Sequence, residues 1–277
     1  LKYCLKVKLV NFGKHHISGV FFALMRINNQ ISKKSITFEK KLIKMKNIKF
    51  TALLVICFGI QIQAQSQTSF VSHYKAYYSQ MQQQGDIQGI INAMTHLVLL
   101  EPDVKRQDTL AALYMNEGKY MQALNTIGVE LLETDTTLAT EVKAVSLKSL
   151  NEPKRAIEHY EVLYKQKPSV SIAYELADLK IQTNDLTGAS LNITYGIANS
   201  TTDMMKPYYE MQTPYQVPIL AGFVYLKAIA KFRENPETNH DASMLILEEA
   251  LQLAPNFNMA NLAVNAIRTQ KEAPVTK

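Results

Sequence analysis

Leu110–Ile127 reads LAALYMNEGKYMQALNTI. Leu110, Leu113 and Tyr114 recur at helical spacing and share one face; Tyr120, Ala123, Leu124 and Ile127 do the same beyond Glu117-Gly118-Lys119. Gly118 can end a helix in the left-handed conformation, so the stretch predicts two helices joined by a tight turn. The turn returns along the chain as Gln84-Gly85-Asp86-Ile87, Leu150-Asn151-Glu152-Pro153 and Thr183-Asn184-Asp185-Leu186. Its second residues, Gly85, Gly118, Asn151 and Asn184, are 33 positions apart, and Gly and Asn are the two residues that accept left-handed backbone. Five residues after each stand Ile90, Ala123, Ala156 and Ala189, where a small residue lets the second helix pack closely. Pro102 and Pro168 follow two of the turns by 17 residues, where a second helix should stop; Asp135 and Thr201 hold that place in the other two.

A fixed period of this length is the mark of a helical repeat array. The spacing resembles the tetratricopeptide repeat family, whose units carry Leu-Gly and Tyr on a first helix and Ala, an aromatic and Pro on a second. Leu110, Ala111, Tyr114, Ala123 and Ile127 match one unit. Ala144, Leu147, Ala156, Tyr160 and Pro168 match the next, with Lys143 in place of Leu; Leu176, Ala177, Ala189 and Ile193 match a third, with Lys180 in place of Tyr. The opening unit offers Tyr74, Tyr77, Gly85 and Pro102, with a bulky Tyr78 at a small-residue position. Gly222, Tyr225, Leu247, Ala250, Leu251 and Pro255 supply a fifth, lengthened by about nine residues around Glu234–Asn239. The resemblance implies an all-α, right-handed superhelical solenoid of antiparallel helix pairs. We expect about five pairs over 71–268, closed by a capping helix at Phe257–Arg268. Insertions fall at 201–218 and 233–241; the first, with Pro207, Pro214 and Pro218, cannot be one helix, and no strand-like alternation of useful length appears. Residues 65–70, in a Gln-rich stretch, read as a flexible lead, and 269–277 as a disordered tail.

Met45-Lys46-Asn47-Ile48-Lys49, the apolar block FTALLVICFGI (Phe50–Ile60) and Gln61-Ile62-Gln63-Ala64 have the order of a secretory signal peptide cut after Ala64. Eleven apolar residues span about 16 Å of helix, half of a bilayer core, so no stable membrane span is expected after cleavage. Ile56 before Cys57 is too large for a lipid-modified cysteine. Residues 1–44 then read as sequence upstream of the true start, or as a disordered basic segment. Residues 1–64 hold 12 Lys/Arg and one acid, a net of +11, whereas 65–277 hold 18 Lys/Arg and 23 Asp/Glu, a net of −5. The exported part is therefore mildly acidic and unsuited to nucleic acid. Both cysteines, Cys4 and Cys57, precede the cut, which excludes disulfides and thiolate chemistry from the mature chain.

His73, His96, His159 and His240 stand apart, none at metal-ligand spacing, and His159 reads as a surface or partly packed residue. Glu248-Glu249 and Glu130/Glu133 read as solvated faces, and no phosphate loop or nucleophile motif occurs. We expect no catalysis, no cofactor and no metal. The resemblance places a binding groove on the first helices, at Lys75, Ser79, Gln82, Asp108, Ala112, Met115, Asn116, Glu141, Lys148, Tyr174, Asp178 and Gln182. Their mixed charge does not suit capture of a terminal carboxylate, but it allows an extended or helical segment of a protein partner. Tyr208, Tyr209 and Tyr215 form a second candidate surface, unless they simply pack against the solenoid. The expected function is a periplasmic or extracellular protein-binding scaffold. Its rivals are a structural subunit of an envelope complex docking through the tyrosines, and an enzyme or small-ligand protein with a site between helices. N-terminal sequencing of the exported protein should begin near Gln65; an intact residue 1 in the membrane fraction would contradict the signal-peptide reading.

Overall fold

The computed structural model describes residues 68–272, which from Val71 onward form one compact unit. The 1–44 segment, the signal segment 45–64 and its cleavage site lie outside the described residues. Five helix pairs and a closing helix follow one another. They are α1 (68–84) with α2 (Ile87–Leu100), α3 (Val104–Asn116) with α4 (Tyr120–Ile127), and α5 (Thr137–Ser149) with α6 (Pro153–Gln166). Then come α7 (Val170–Gln182) with α8 (Leu186–Asn199), α9 (Ile219–Glu234) with α10 (His240–Leu253), and α11 (Asn258–Glu272). The Gln-rich lead is helical from residue 68, and the stretch expected as a tail continues α11 to Glu272. At the N-terminal end Thr68-Ser69-Phe70 lead directly into the buried Val71, whereas Gln270, Lys271 and Glu272 are good helix formers that carry α11 onward.

The first four pairs turn by one device. Gly85, Gly118, Asn151 and Asn184 have φ of 69, 68, 61 and 64°. The residue after each donates its N–H back to the carbonyl five positions earlier: Asp86 to Met81 (3.0 Å), Lys119 to Tyr114 (2.8 Å), Glu152 to Leu147 (2.9 Å) and Asp185 to Lys180 (2.8 Å). This closes the helix C-terminus and satisfies carbonyls that would otherwise be orphaned. Side-chain oxygens of Asp86, Asp103, Thr136, Ser169 and Asp185 cap the N-termini of α2, α3, α5, α7 and α8, each contributing about 1 kcal/mol. Ala111, Ala144 and Ala177 on the first helices and Ala123, Ala156 and Ala189 on the second are all fully buried. These two sets of alanines, in one 33-residue phase, set the close approach of the three pairs from α3 to α8. The core is a series of local clusters, such as Leu124, Ala144, Leu147, Ala156, Tyr160, Leu163, Leu176 and Leu179, each shared between neighbouring units.

Both insertions differ from the sequence expectation. The 201–218 insertion holds a hairpin, β1 (Met205–Tyr208) antiparallel to β2 (Tyr215–Pro218), with Lys206 opposite Val217 and Tyr208 opposite Tyr215. Much of the extra length near 233–241 goes into helix: α9 has 16 residues where α3, α5 and α7 have 13, and the connection Asn235–Asn239 is only slightly longer than the three preceding turns.

The second unit is irregular for a local reason. Gly128 has φ 82° and ψ 174°, a conformation open essentially to glycine alone, and it stops α4 after 8 residues. The chain then bends at 129–130 and turns before Thr136, with Asp135 N–H donating to Leu132 O (3.1 Å), and its remaining polar groups are met from inside the solenoid. Lys143 is fully buried, and its Nζ donates to Glu130 O (2.8 Å) and to both carboxylate oxygens of Asp135 (2.7 Å each). His159, expected near the surface, is only 1% exposed, and its Nε2 lies 3.2 Å from Val129 O. The helix that should cover these positions is missing, so lysine and histidine replace the usual apolar contacts.

Burial favours the neutral His159 ring and lowers its pKa below 6.5, although the bond to Val129 opposes the shift. The folded-state pKa therefore lies below the unfolded one. The stability linked to this ring is complete above about pH 6.5 and is lost as pH falls through the folded value. Urea unfolding at pH 7.5 and 5.5 should show a loss of stability that His159→Gln reduces. At neutral pH, Lys143→Met should cost ~3 kcal/mol by leaving Asp135 unpaired, and adding Asp135→Asn should recover much of it. At the turn, Asn151→Val should cost ~1–2 kcal/mol and Asn151→Gly almost nothing.

Candidate functional site

α3 packs on α5 and α7 on α9, Tyr78 of α1 rests on the cluster that holds Leu110 of α3, and Lys148 of α5 reaches Glu175 of α7, so the first helices form one row. The expected groove residues divide along it. On α1 and α3, Ser79 and Asn116 are exposed, Gln82 donates to the Tyr78 hydroxyl (3.0 Å), and Met115 lies half-buried against Ala111, Ala123 and Val142. Lys75 pairs with Glu101 at 3.2 Å across an exposed surface, an interaction of at most a few tenths of a kcal/mol. Asp108 is withdrawn from the surface: it is 4% exposed and accepts a 2.6 Å bond from Thr136 Oγ, the cap of α5. Its role in the structure is to tie α3 to the next unit. Glu141 is exposed on α5.

At α7 the row is covered. β1 lies against it and directs two alternate side chains, Lys206 and Tyr208, onto α7. Lys206 Nζ bonds Glu175 Oε1 (2.7 Å) and sits 4.7 Å from the centre of the Tyr174 ring. The Tyr208 hydroxyl is 2.6 Å from that of Tyr174. The other Glu175 oxygen takes Lys148 from α5, so one carboxylate joins α5, α7 and β1. Tyr174 is 5% exposed and rests edge-on against Phe223 of α9. A side chain at Gly222 would collide with both tyrosines, its Cβ falling 2.9 Å from Tyr174 Cε2 and from Tyr208 Oη. The hairpin is fixed at its other end too. Tyr208 packs on Tyr215 and Phe257, Val217 is fully buried, and Tyr215 donates to Glu210 (2.5 Å). Tyr209 alone of the three expected tyrosines points outward, 73% exposed. The groove and the tyrosine insertion, read from sequence as separate surfaces, are thus one assembly at α7.

Electrostatics there are asymmetric. Burial acts to raise the Glu175 pKa, but Lys148 and Lys206 outweigh it and hold the carboxyl below its ordinary value. Asp178, one turn on, is raised by burial against the pull of the same lysines, with Glu175 adding to the rise; Gln182 donates to it at 3.0 Å. Burial, with Asp178 and Glu210 nearby, lifts the Tyr225 hydroxyl to about 12. Arg233 closes the end of α7 by donating to Ile181 O at 2.7 Å. Glu175, Lys206 and Arg233 were absent from the sequence reading, and Tyr225 entered it only as a repeat-pattern residue of the fifth unit. A signal for one existed: Lys206 and Tyr208 alternate as strand neighbours must, but Pro207 between them disguises the strand.

No protein-family model and no curated protein matches the sequence. Solved structures do match in fold. A tetratricopeptide repeat protein from Parabacteroides merdae superposes with a TM-score of 0.55 at 16% identity, over 73% of this chain and 75% of that one. YrrB, described as a TPR protein with an unusual peptide-binding site, gives 0.53 at 11% identity over 69% and 89%. MamA from Desulfovibrio magneticus RS-1 gives 0.52 at 13% identity over 68% and 97%. At these identities the likeness concerns architecture: the chain has the tetratricopeptide repeat fold.

Glu175→Ala should free the hairpin from α7 and cost ~2 kcal/mol, discounted for partial exposure of both lysines. Hydrogen exchange should then quicken in β1 and β2 while α2–α4 keep their protection; uniform quickening would mean that the ion pairs hold no particular element.

Proposed function

We propose that this chain is a non-catalytic protein-binding scaffold, exported to the cell envelope, that holds a segment of a partner along the inner faces of α1, α3 and α5. One observation carries the reading. The hairpin fills the inner row at α7 with its own Lys206 and Tyr208, while Ser79, Asn116 and Glu141 on the three preceding first helices stay exposed. A ligand on this face meets polar side chains and the half-buried Met115, then stops at the hairpin. That mixture suits an extended or helical peptide held by side-chain contacts. The titratable groups at the stop are engaged with one another, Glu175 with two lysines and Asp178 with Gln182, which favours a structural role for them over acid–base chemistry. The envelope location rests on the signal-peptide pattern at 45–64, and no described helix is long and apolar enough to cross a membrane.

A second reading has an observation of its own. Tyr209, Met205 and Met211 leave 73, 45 and 49% of their surface exposed on the hairpin, which suits docking of a larger assembly through that outer face.

A photo-crosslinking residue at Asn116 or Glu141 should capture a partner in the envelope, and one at Tyr209 should not; the reverse result would select the hairpin reading. With the partner in hand, Glu141→Lys should change its affinity about tenfold while leaving the melting temperature of the free protein unchanged.

A further inference from the structure

The extra length of α9 builds a feature that the other units lack. Aligning Gly222 with Ala177 places Lys227 opposite Gln182, the last residue of α7, so the turns of α9 beyond Lys227 have no counterpart in α7. Those turns, the outer stripe of α8 and one residue of α10 enclose a trough of about 470 Å³. Its floor is apolar: Ile193 and Ala230 are buried, and Leu186, Ile197 and Ile246 are half-buried. Its rim is polar, with Lys227 and Lys231 one turn apart on α9. Lys231 is neutralised by Glu234 at 2.7 Å, whereas Lys227 is exposed and makes no hydrogen bond or ion pair among the described residues. Insertions in repeat proteins gather on working faces. This one lies outside the row of α1, α3 and α5 and is independent of the function proposed for that row.

We propose that the trough is a second docking site, and that its occupant is an amphipathic helix of a partner protein with an acidic residue facing Lys227. Three observations select this occupant. From Leu186 to Ile197 the α8 stripe is about 17 Å long, three turns of helix. The trough is open along its rim, so it covers one face of a guest. An acyl chain, apolar on every side, would leave half of itself in water, whereas an amphipathic helix needs only its apolar face covered. Of the polar lining groups, Thr194 already donates to Ser190 O and Lys231 pairs with Glu234, so little remains to pair with an extended backbone, and a helix satisfies its own. The unpaired Lys227 at the edge of an apolar floor then sets the charge of the guest.

The test uses the purified protein and two labelled, N-acetylated 14-residue peptides. Both carry leucines at i, i+3, i+4 and i+7 on an alanine background, with glutamates flanking the apolar face in one and lysines in the other. Fluorescence anisotropy should show the acidic peptide binding at least about tenfold more tightly than the basic one, and Lys227→Glu should reverse that order. Ala198→Trp, on the exposed rim, should weaken the acidic peptide at least about tenfold with the melting temperature unchanged. Thr194→Arg is a second blocking variant if the first proves unstable. Glu141→Lys, on the inner row, should leave this binding unaltered, so failure here and failure of the inner-row function are separable. Equal binding of both peptides, or binding indifferent to the rim variants, overturns the proposal. Dodecanoate binding that depends on Lys227, with no binding of either peptide, also overturns it, in favour of a small amphiphile.

Discussion

A backbone angle governs this molecule. Four helices are stopped by a residue with φ between 61 and 69°, and at each stop the chain reverses within three residues. Left-handed backbone costs an ordinary residue about 1–2 kcal/mol, so the position is held by Gly or Asn. Once the turn is set, two short helices must lie antiparallel, with buried alanines at the crossing in the three pairs from α3 to α8, and neither can hide its apolar face alone. The next pair supplies the cover. Stacking, the local clusters and the continuous inner row all follow from that reversal and its 33-residue recurrence.

The fifth pair departs from the rule, and the hairpin belongs to that departure. Its connection is longer than the others, and its first helix overruns. The hairpin spans the junction, resting on Tyr174 and Glu175 of α7 on one side and on Phe257 beside α11 on the other. It brings its own cation to an acidic patch, which explains why Glu175 stays ionised in a half-buried setting while Asp178, without a direct ion pair, is pushed the other way. Pro207 and Pro218 deny the short strands some of the N–H groups that another chain could pair with, so the hairpin is a closure more than an open sheet edge.

Much of this architecture was legible in the sequence, because the information was local and repeated. The turn positions, the buried alanines, the helix-ending prolines at 102 and 168 and the closing helix are each written in a few adjacent residues. What escaped was contact between distant residues. Asp108 occupies a groove position by phase, yet Thr136 draws it inward. Lys143 stands where the neighbouring units have Leu110 and Leu176, and the break at Gly128 supplies the carbonyls that it and His159 meet. Nothing in the spacing tells that Lys206 would meet Glu175, because that pairing depends on where an irregular insertion folds back. The site was legible as a row of candidates; which members stay open was decided by the insertion.

Repeat arrays change length in evolution by duplicating or losing whole units, since each unit touches only its neighbours. The ion pair of Lys143 with Asp135 restricts that freedom. Asp135 closes one unit and Lys143 lies in the first helix of the next, with the ammonium fully buried. A recombination event falling between them would give one daughter array a buried cation without its counter-ion and the other a carboxylate without its cation. This junction is therefore a seam that inheritance must carry as one piece, whereas the more regular boundary at Pro168 can be cut and rejoined at lower cost.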